Sequence, residues 1–207
     1  MSISSDMLFD TMKNNMLLIL ASTSKFKKRQ LEQLEVDFKV EDSRVDEVIL
    51  PNETPDNLSQ RLSIEKAQAL KFKYPNALII GSDQVVACEN KVLGKPLTEQ
   101  RAIFNLNFMG DKCIDIYSGI CVLNTEKSNQ HVHVEKTSVK IRPLPLDLIK
   151  RYLRREPDAL YCAGGIKSEG LGMILIENMY TRDPNAVIGL PMYFLVDALL
   201  KEGFRII

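Results

Sequence analysis

The apolar pattern begins with Met16-Leu17-Leu18-Ile19-Leu20. This is a continuous run of strand length, the signature of a strand buried on both faces. Ala21-Ser22-Thr23-Ser24 is a small-residue turn, and Ser24 is placed to cap a helix that carries Leu31, Leu34 and Val36 near helical spacing. Phe38-Lys39-Val40 reads as a short strand, and Pro51 to Pro55 as a loop. Thr54 or Asp56 then caps a helix through Leu58, Leu62, Ile64, Ala67 and Leu70, ended by Tyr74-Pro75-Asn76. Ala77-Leu78-Ile79-Ile80 is a second buried-type strand, and it runs on through Gly81-Ser82-Asp83-Gln84 into Val85-Val86-Ala87. Asn90 closes a turn, and Leu93-Gly94-Lys95-Pro96 forms another.

Thr98 caps the next helix, through Ala102, Phe104, Leu106 and Met109, with Gly110 as its stop. Residues 113–142 alternate apolar and polar with turn signals around Asn124 to Asn129, which predicts a hairpin or meander. Pro143 and Pro145 introduce a helix from Leu146 towards Arg155, and a glycine-containing loop follows at Tyr161 to Gly165. Met173-Ile174-Leu175-Ile176 reads as a strand, Asp183-Pro184-Asn185 as a turn, and Met192 to Glu202 as a last helix ended by Gly203. Strands and helices alternate early and antiparallel strands come later. The fold class is therefore α/β, with a mixed, partly antiparallel sheet and flanking helices. Residues 16–207 form one domain, preceded by an N-terminal extension at 1–15.

Composition narrows the function. The 27 Lys and Arg balance the 27 Asp and Glu over 207 residues. There is no global pull towards nucleic acid or an anionic membrane, so any phosphate-binding surface is local. With no Trp and no basic aromatic-rich stripe, a nucleic-acid module is not expected. No apolar run has the length of a membrane span, and residues 1–15 make a poor signal peptide; a cytoplasmic location follows as an expectation. Cys88, Cys113, Cys121 and Cys162 match no zinc spacing and read as buried or semi-buried thiols. His131 and His133 share one strand face, with only Glu135 as a further ligand, and read as an exposed face.

Several polar clusters fall where strands end, a favoured place for ligands in α/β sheets. Ser22, Ser24, Lys27, Lys28, Lys66 and Lys95 offer hydroxyls and cations, while Asp46, Glu47 and Asp83 offer carboxylates. Taken singly, Lys66 and Lys95 read as surface lysines, whereas Asp83 is the most pointed candidate, with a turn-forming residue as the alternative. Together they suit a metal-bound polyphosphate: carboxylates hold Mg²⁺, and lysines hold phosphate as point charges. Four cations in the first helical turn after Ser24 oppose the macrodipole, which an anion among them would relieve. A carboxylate at a buried strand end, such as Asp83, calls for a raised pKa or a metal, and either serves an enzyme that activates water. No Walker A, G-x-G-x-x-G or G-x-S-x-G pattern occurs.

These motifs, in their order, resemble those of the Maf-like nucleotide pyrophosphatases, also called septum-formation-inhibitor-like proteins. Leu18 to Ser24 resembles the family's opening motif, Asp46-Glu47 its acidic pair, and Glu65-Lys66-Ala67 its lysine helix. Gly81-Ser82-Asp83-Gln84-Val85-Val86 resembles its central strand. Leu93-Gly94-Lys95-Pro96, Ser118-Gly119, Ala163-Gly164 and Ile188-Gly189-Leu190-Pro191 follow in family order. The resemblance runs from Leu17 to the C-terminus. It implies two lobes around a deep cleft, a homodimer, and a divalent cation, Mg²⁺ or Mn²⁺. The implied reaction is hydrolysis of a nucleoside triphosphate to monophosphate and pyrophosphate, a house-cleaning activity against unwanted nucleotides.

The resemblance also implies roles. Asp83 is the catalytic base. Glu47 and Asp83, with Asp46 as a further candidate, hold the metal. Ser22, Ser24, Lys27, Lys66 and Lys95 bind phosphate. Phe26, Gln84 and Glu169 choose the base. Gln84 after the strand Asp, and Lys167-Ser168-Glu169-Gly170-Leu171-Gly172 in the base-reading loop, resemble the branch acting on 7-methyl-GTP. A carboxylate such as Glu169 suits a cationic N7-methylguanine, and an aromatic face at Phe26 can stack on it. The family's S-P-x-R-R run is Ser24-Lys25-Phe26-Lys27-Lys28 here, which keeps the charges without the bidentate forks. The alternatives are a dTTP or UTP pyrophosphatase of the same family, or a non-enzymatic regulator of septum formation. Retention of Asp46, Glu47, Lys66, Asp83 and Lys95 together argues against the last.

Overall fold

The computed structural model describes residues 16–89 and 91–207. The expected extension at 1–15 and the turn at Asn90 lie outside the described residues. In chain order the elements are β1 (Leu17–Ala21), α1 (Lys25–Glu32), β2 (Lys39–Val40), α2 (Pro55–Gln68), β3 (Ala77–Cys88) and β4 (Lys91–Leu93). They continue with α3 (Glu99–Met109), β5 (Cys113–Asn124), β6 (Asn129–Ile141), α4 (Leu146–Arg155), β7 (Ile176–Tyr180) and α5 (Met192–Lys201). The seven strands form one sheet in the order β2-β1-β3-β5-β6-β7, with β4 also on β3. β1 runs parallel to β2 and β3, and the remaining pairs are antiparallel. The sheet is mixed α/β, as the element pattern predicts.

The continuous apolar runs of β1 and β3 are explained by burial on both faces. Leu18, Leu20, Leu78 and Ile80 pack with Leu31 of α1 and with Leu195 and Leu199 of α5. The alternate residues Ile19 and Ile79 face α2 and pack with Ala67. A larger core lies around the far halves of β3, β5 and β6. There Val86, Ile116 and Val139 meet Leu106 of α3 and Tyr152 of α4. The long strands thus run through two packed regions, the two lobes of the expectation.

Helix α2 sits unusually close to the sheet. Its face towards β3 and β5 carries Ser59, Ser63 and Ala67, all fully buried, spaced four apart so that they stack on one side. Opposite them are Gly81 and Gly119. A Cβ on Gly81 would overlap the Ser63 carbonyl, and one on Gly119 the Ser59 carbonyl. The absence of side chains on the strands lets the helix backbone settle there.

Several expectations need correction. Met173 to Leu175 is not a strand. Residues Leu171–Leu175 form a 3-10 turn, and the strand begins at Ile176. Gly170 and Gly172 fold the chain back, with the Gly172 amide donating to the Lys167 carbonyl. Only Leu175 of this apolar run enters the core, while Met173 and Ile174 stay exposed. The segment Lys91–Leu93 is a short strand rather than part of a turn. Helix α2 ends at Gln68, with turns leading to Tyr74. Cys113 is exposed, unlike the other three thiols. His131 and His133 are partly buried, not freely exposed. His131 Nε2 meets Glu202 Oε1 at 2.7 Å, and His133 meets Glu135 at 3.1 Å while stacking on Phe194.

Candidate active site

A cleft of about 510 Å³ opens where β1 ends and beside the middle of β3, so Asp83 lies within the strand rather than at the strand end expected from sequence. The chain turns from β1 through Ala21 to Ser24, and Ser24 caps α1 by accepting from the Lys27 amide at 3.4 Å. Ser22 in turn accepts from the Ser24 amide at 3.2 Å. The residues singled out in the sequence converge on this cleft. Ser22, Ser24, Phe26, Lys27, Glu47, Lys66, Asp83, Gln84, Lys95 and Glu169 all line it.

Period-two geometry along β3 sorts its residues. Gly81, Asp83 and Val85 face α2, whereas Ser82 and Gln84 face the segment 183–190. Asp83 therefore meets Lys66 of α2, and the two side chains join at 2.6 Å. Lys66 also reaches Glu47 at 2.6 Å. One ammonium bridges two carboxylates, so the cost of burying Asp83 is offset by a lysine. Burial alone would lower the Lys66 pKa, but the Asp83 and Glu47 charges more than offset this and raise it. The same lysine holds the Glu47 carboxyl below its usual range in spite of the opposing effect of burial.

Lys27 is the one cation of the first helical turn that enters the protein. Its Nζ donates to the Ser82 carbonyl at 2.7 Å, and its side chain is buried. Burial lowers its pKa to about 7. The Lys66 and Lys95 charges push the same way, against Asp83 and Glu47. Gly189 leaves the room: its φ is +144°, and a Cβ there would come within 3.0 Å of the Lys27 side chain. Lys25 and Lys28 are drawn off instead, to Asp158 at 2.6 Å and Glu32 at 3.4 Å.

Gln84 lines the cleft, and its amide nitrogen is bonded to the cleft wall. Nε2 lies 3.0 Å from the Ala186 carbonyl, 2.9 Å from that of Val187 and 3.2 Å from Ser118 Oγ. Ser82 Oγ donates to the Gly189 carbonyl, and Gln30 clamps both Asn185 and Leu190. These bonds fix the 185–190 wall. Glu169 is exposed at the opposite rim beside Ser168, and Lys95 is exposed in the cleft.

Asp46 is not placed with the others. Ser43, Val45 and Glu47 line the cleft, whereas Arg44 and Asp46 are exposed and do not line it. Ser43 and Val45 were not singled out in the sequence, although stepping back by two from Glu47 finds them. Asp42 and Tyr161 also line the cleft, and no local pattern marks them.

Among the described residues, no group of three or more acids, histidines or cysteines gathers to hold a metal alone. The available donors are Glu47 and Asp83, each with a second oxygen outside the Lys66 contact. Such a pair suits Mg²⁺, which keeps several waters and is held by one or two carboxylates plus substrate phosphate. The donor set fits the cation.

The architecture is thus a mixed-sheet α/β domain with a cationic cleft floored by two carboxylates. The chain belongs to the Maf-like protein family, whose model matches residues 17–202. It is 44% identical over 190 residues to the 7-methyl-GTP pyrophosphatase of Colwellia psychrerythraea, covering 92% of this chain and 94% of that one. The proteins of the same name from Neisseria gonorrhoeae and Vibrio parahaemolyticus are 40% and 41% identical. They cover 92% and 93% of this chain and 97% and 99% of their own. A solved structure, that of the Staphylococcus aureus Ham1 protein, aligns with a TM-score of 0.40 and 17% identity over 60% of this chain and 71% of its own. No helix among the described residues is long and apolar enough to cross a membrane.

Proposed function

We propose that this protein hydrolyses 7-methyl-GTP to 7-methyl-GMP and pyrophosphate. The observation that carries the chemistry is the Glu47–Lys66–Asp83 bridge at the floor of a cleft walled by Lys27 and Lys95. Relatives named for this activity share 40–44% of the sequence across nearly its whole length.

Asp83 takes the proton of the water that attacks the α-phosphorus, and Lys66 fixes the orientation of that carboxylate. Lys27, Lys95, Ser22, Ser24 and the N-terminus of α1 face the charge that builds on the departing pyrophosphate. A divalent cation held by Glu47 and Asp83 would withdraw charge from the phosphate oxygens. Phe26 offers a ring for stacking on the cationic base, and Glu169 offers a carboxylate for its polar edge. Gln84 acts by fixing the 186–187 wall. The enzyme works in the cytoplasm as a homodimer.

Pyrophosphate release with Mg²⁺ or Mn²⁺, comparing 7-methyl-GTP with GTP, dTTP, UTP and CTP, tests the reading. Preference for 7-methyl-GTP is expected. Preference for dTTP or UTP would keep the chemistry and discard the substrate. No release from any of them would discard both.

A further inference from the structure

Behind the base end of the cleft lies a second, much smaller cavity of about 20 Å³. It shares the walls Ala163, Ile166 and Val187 with the cleft, and its back is formed by Val86, Ile114, Ile116 and Val139 of the sheet. Only two lining residues are polar, Gln84 and Ser168, and the Gln84 amide nitrogen and the Ser168 hydroxyl have other partners. The Gln84 amide serves the carbonyls of Ala186 and Val187, and the Ser168 hydroxyl lies against Glu169 at 3.4 Å.

That volume holds one water-sized group, and a stable buried water needs two to four polar partners. Eight of the ten residues lining this cavity are apolar, so its chemistry suits a single apolar carbon. Well-packed interiors leave few voids of this kind, and this one adjoins the wall that Gln84 fixes.

We propose that this pocket is the subsite for the N7-methyl group of the base, and that filling it separates 7-methyl-GTP from GTP. The inference rests on the substrate reading above. It also limits that substrate: unmethylated guanine leaves the pocket empty, and an N7-ethyl group is too long for it.

The experiment compares kcat/KM for GTP, 7-methyl-GTP and 7-ethyl-GTP in the wild type, in Ala163→Val and in Ile116→Val. Ratios between substrates on one protein sample cancel any loss of folded fraction. One methylene in such a pocket is worth roughly tenfold or more. Ala163→Val, which fills the pocket, is expected to lower the 7-methyl-GTP to GTP ratio about tenfold. Ile116→Val opens it by one carbon and is expected to raise 7-ethyl-GTP relative to 7-methyl-GTP by a similar factor. A wild type that prefers 7-methyl-GTP, with both ratios unmoved in the variants, overturns the subsite alone. A wild type without that preference overturns the substrate reading and the subsite with it.

Discussion

The ammonium of Lys27 is spent on a main-chain oxygen, the Ser82 carbonyl 2.7 Å away, and makes no direct ion pair with the Asp83 carboxylate one residue further on. Lys27 is therefore a buried cation held mostly by a neutral partner. The charged groups that act on it are Lys66, Asp83, Lys95 and Glu47.

Its lowered pKa of about 7 gives a pH signature. Above that value Lys27 loses its proton and its pull on phosphate. KM for the triphosphate is expected to rise as pH climbs through about 7. Lys27→Arg, which stays charged, should flatten the rise. The linkage to stability has the opposite sense. The folded lysine gives up its proton near 7, while the unfolded one keeps it to 10.5. This group's contribution to stability therefore grows as pH rises through that window. Steady-state kinetics and denaturant melts from pH 6 to 10 check both trends.

Asp83→Asn should leave the fold intact and cut kcat by about 10²–10⁴, the usual worth of a general base. Lys66→Met should lower kcat as well, because Asp83 loses its orienting partner. Near-normal turnover by Asp83→Asn with an unchanged circular dichroism spectrum would remove the aspartate from the chemistry.

Gly119→Ala should cost at least about 2 kcal/mol, since the added carbon meets the Ser59 backbone rather than a movable side chain. Part of the strain is relieved by lifting α2, which withdraws Lys66 from Asp83. The variant is therefore expected to lose activity beyond its loss of stability, measured as kcat per folded molecule.

Glu202 makes an acid-stability anchor far from the cleft. Buried at 2% side-chain exposure, it is reached by His131, Asn124, Asn129 and Lys127. Although burial opposes it, these bonds hold its pKa at about 2 instead of 4.5. Its stabilisation is present above 4.5 and is lost as pH falls towards 2. Glu202→Gln should cost about 2 kcal/mol at pH 7 and remove this part of the acid-limb slope in urea melts.

Much of this was legible in local sequence. The strand that carries Asp83, the caps at Ser24 and Thr98 and the antiparallel strands after Cys113 follow from periodicity and capping chemistry. Other features depend on contacts distant in sequence. Lys25 looks equivalent to Lys27 until Asp158 claims it. Asp46 and Glu47 look like a pair, but of the two only Glu47 lines the cleft. The bonds of the Gln84 amide nitrogen to carbonyls about a hundred residues away have no sign in the local sequence. The run Met173 to Leu175 has strand composition, but flanking glycines and a single core contact make it a turn.

The cleft draws on two stretches of chain. The groups proposed to meet phosphate lie between Ser22 and Lys95, whereas Tyr161 to Ile188 supplies most of the wall proposed to meet the base. A change of nucleotide preference therefore need not disturb hydrolysis. Exchange of the later stretch between relatives, with the Gln84 position matched, would transplant selectivity as a cassette onto an unaltered reaction centre.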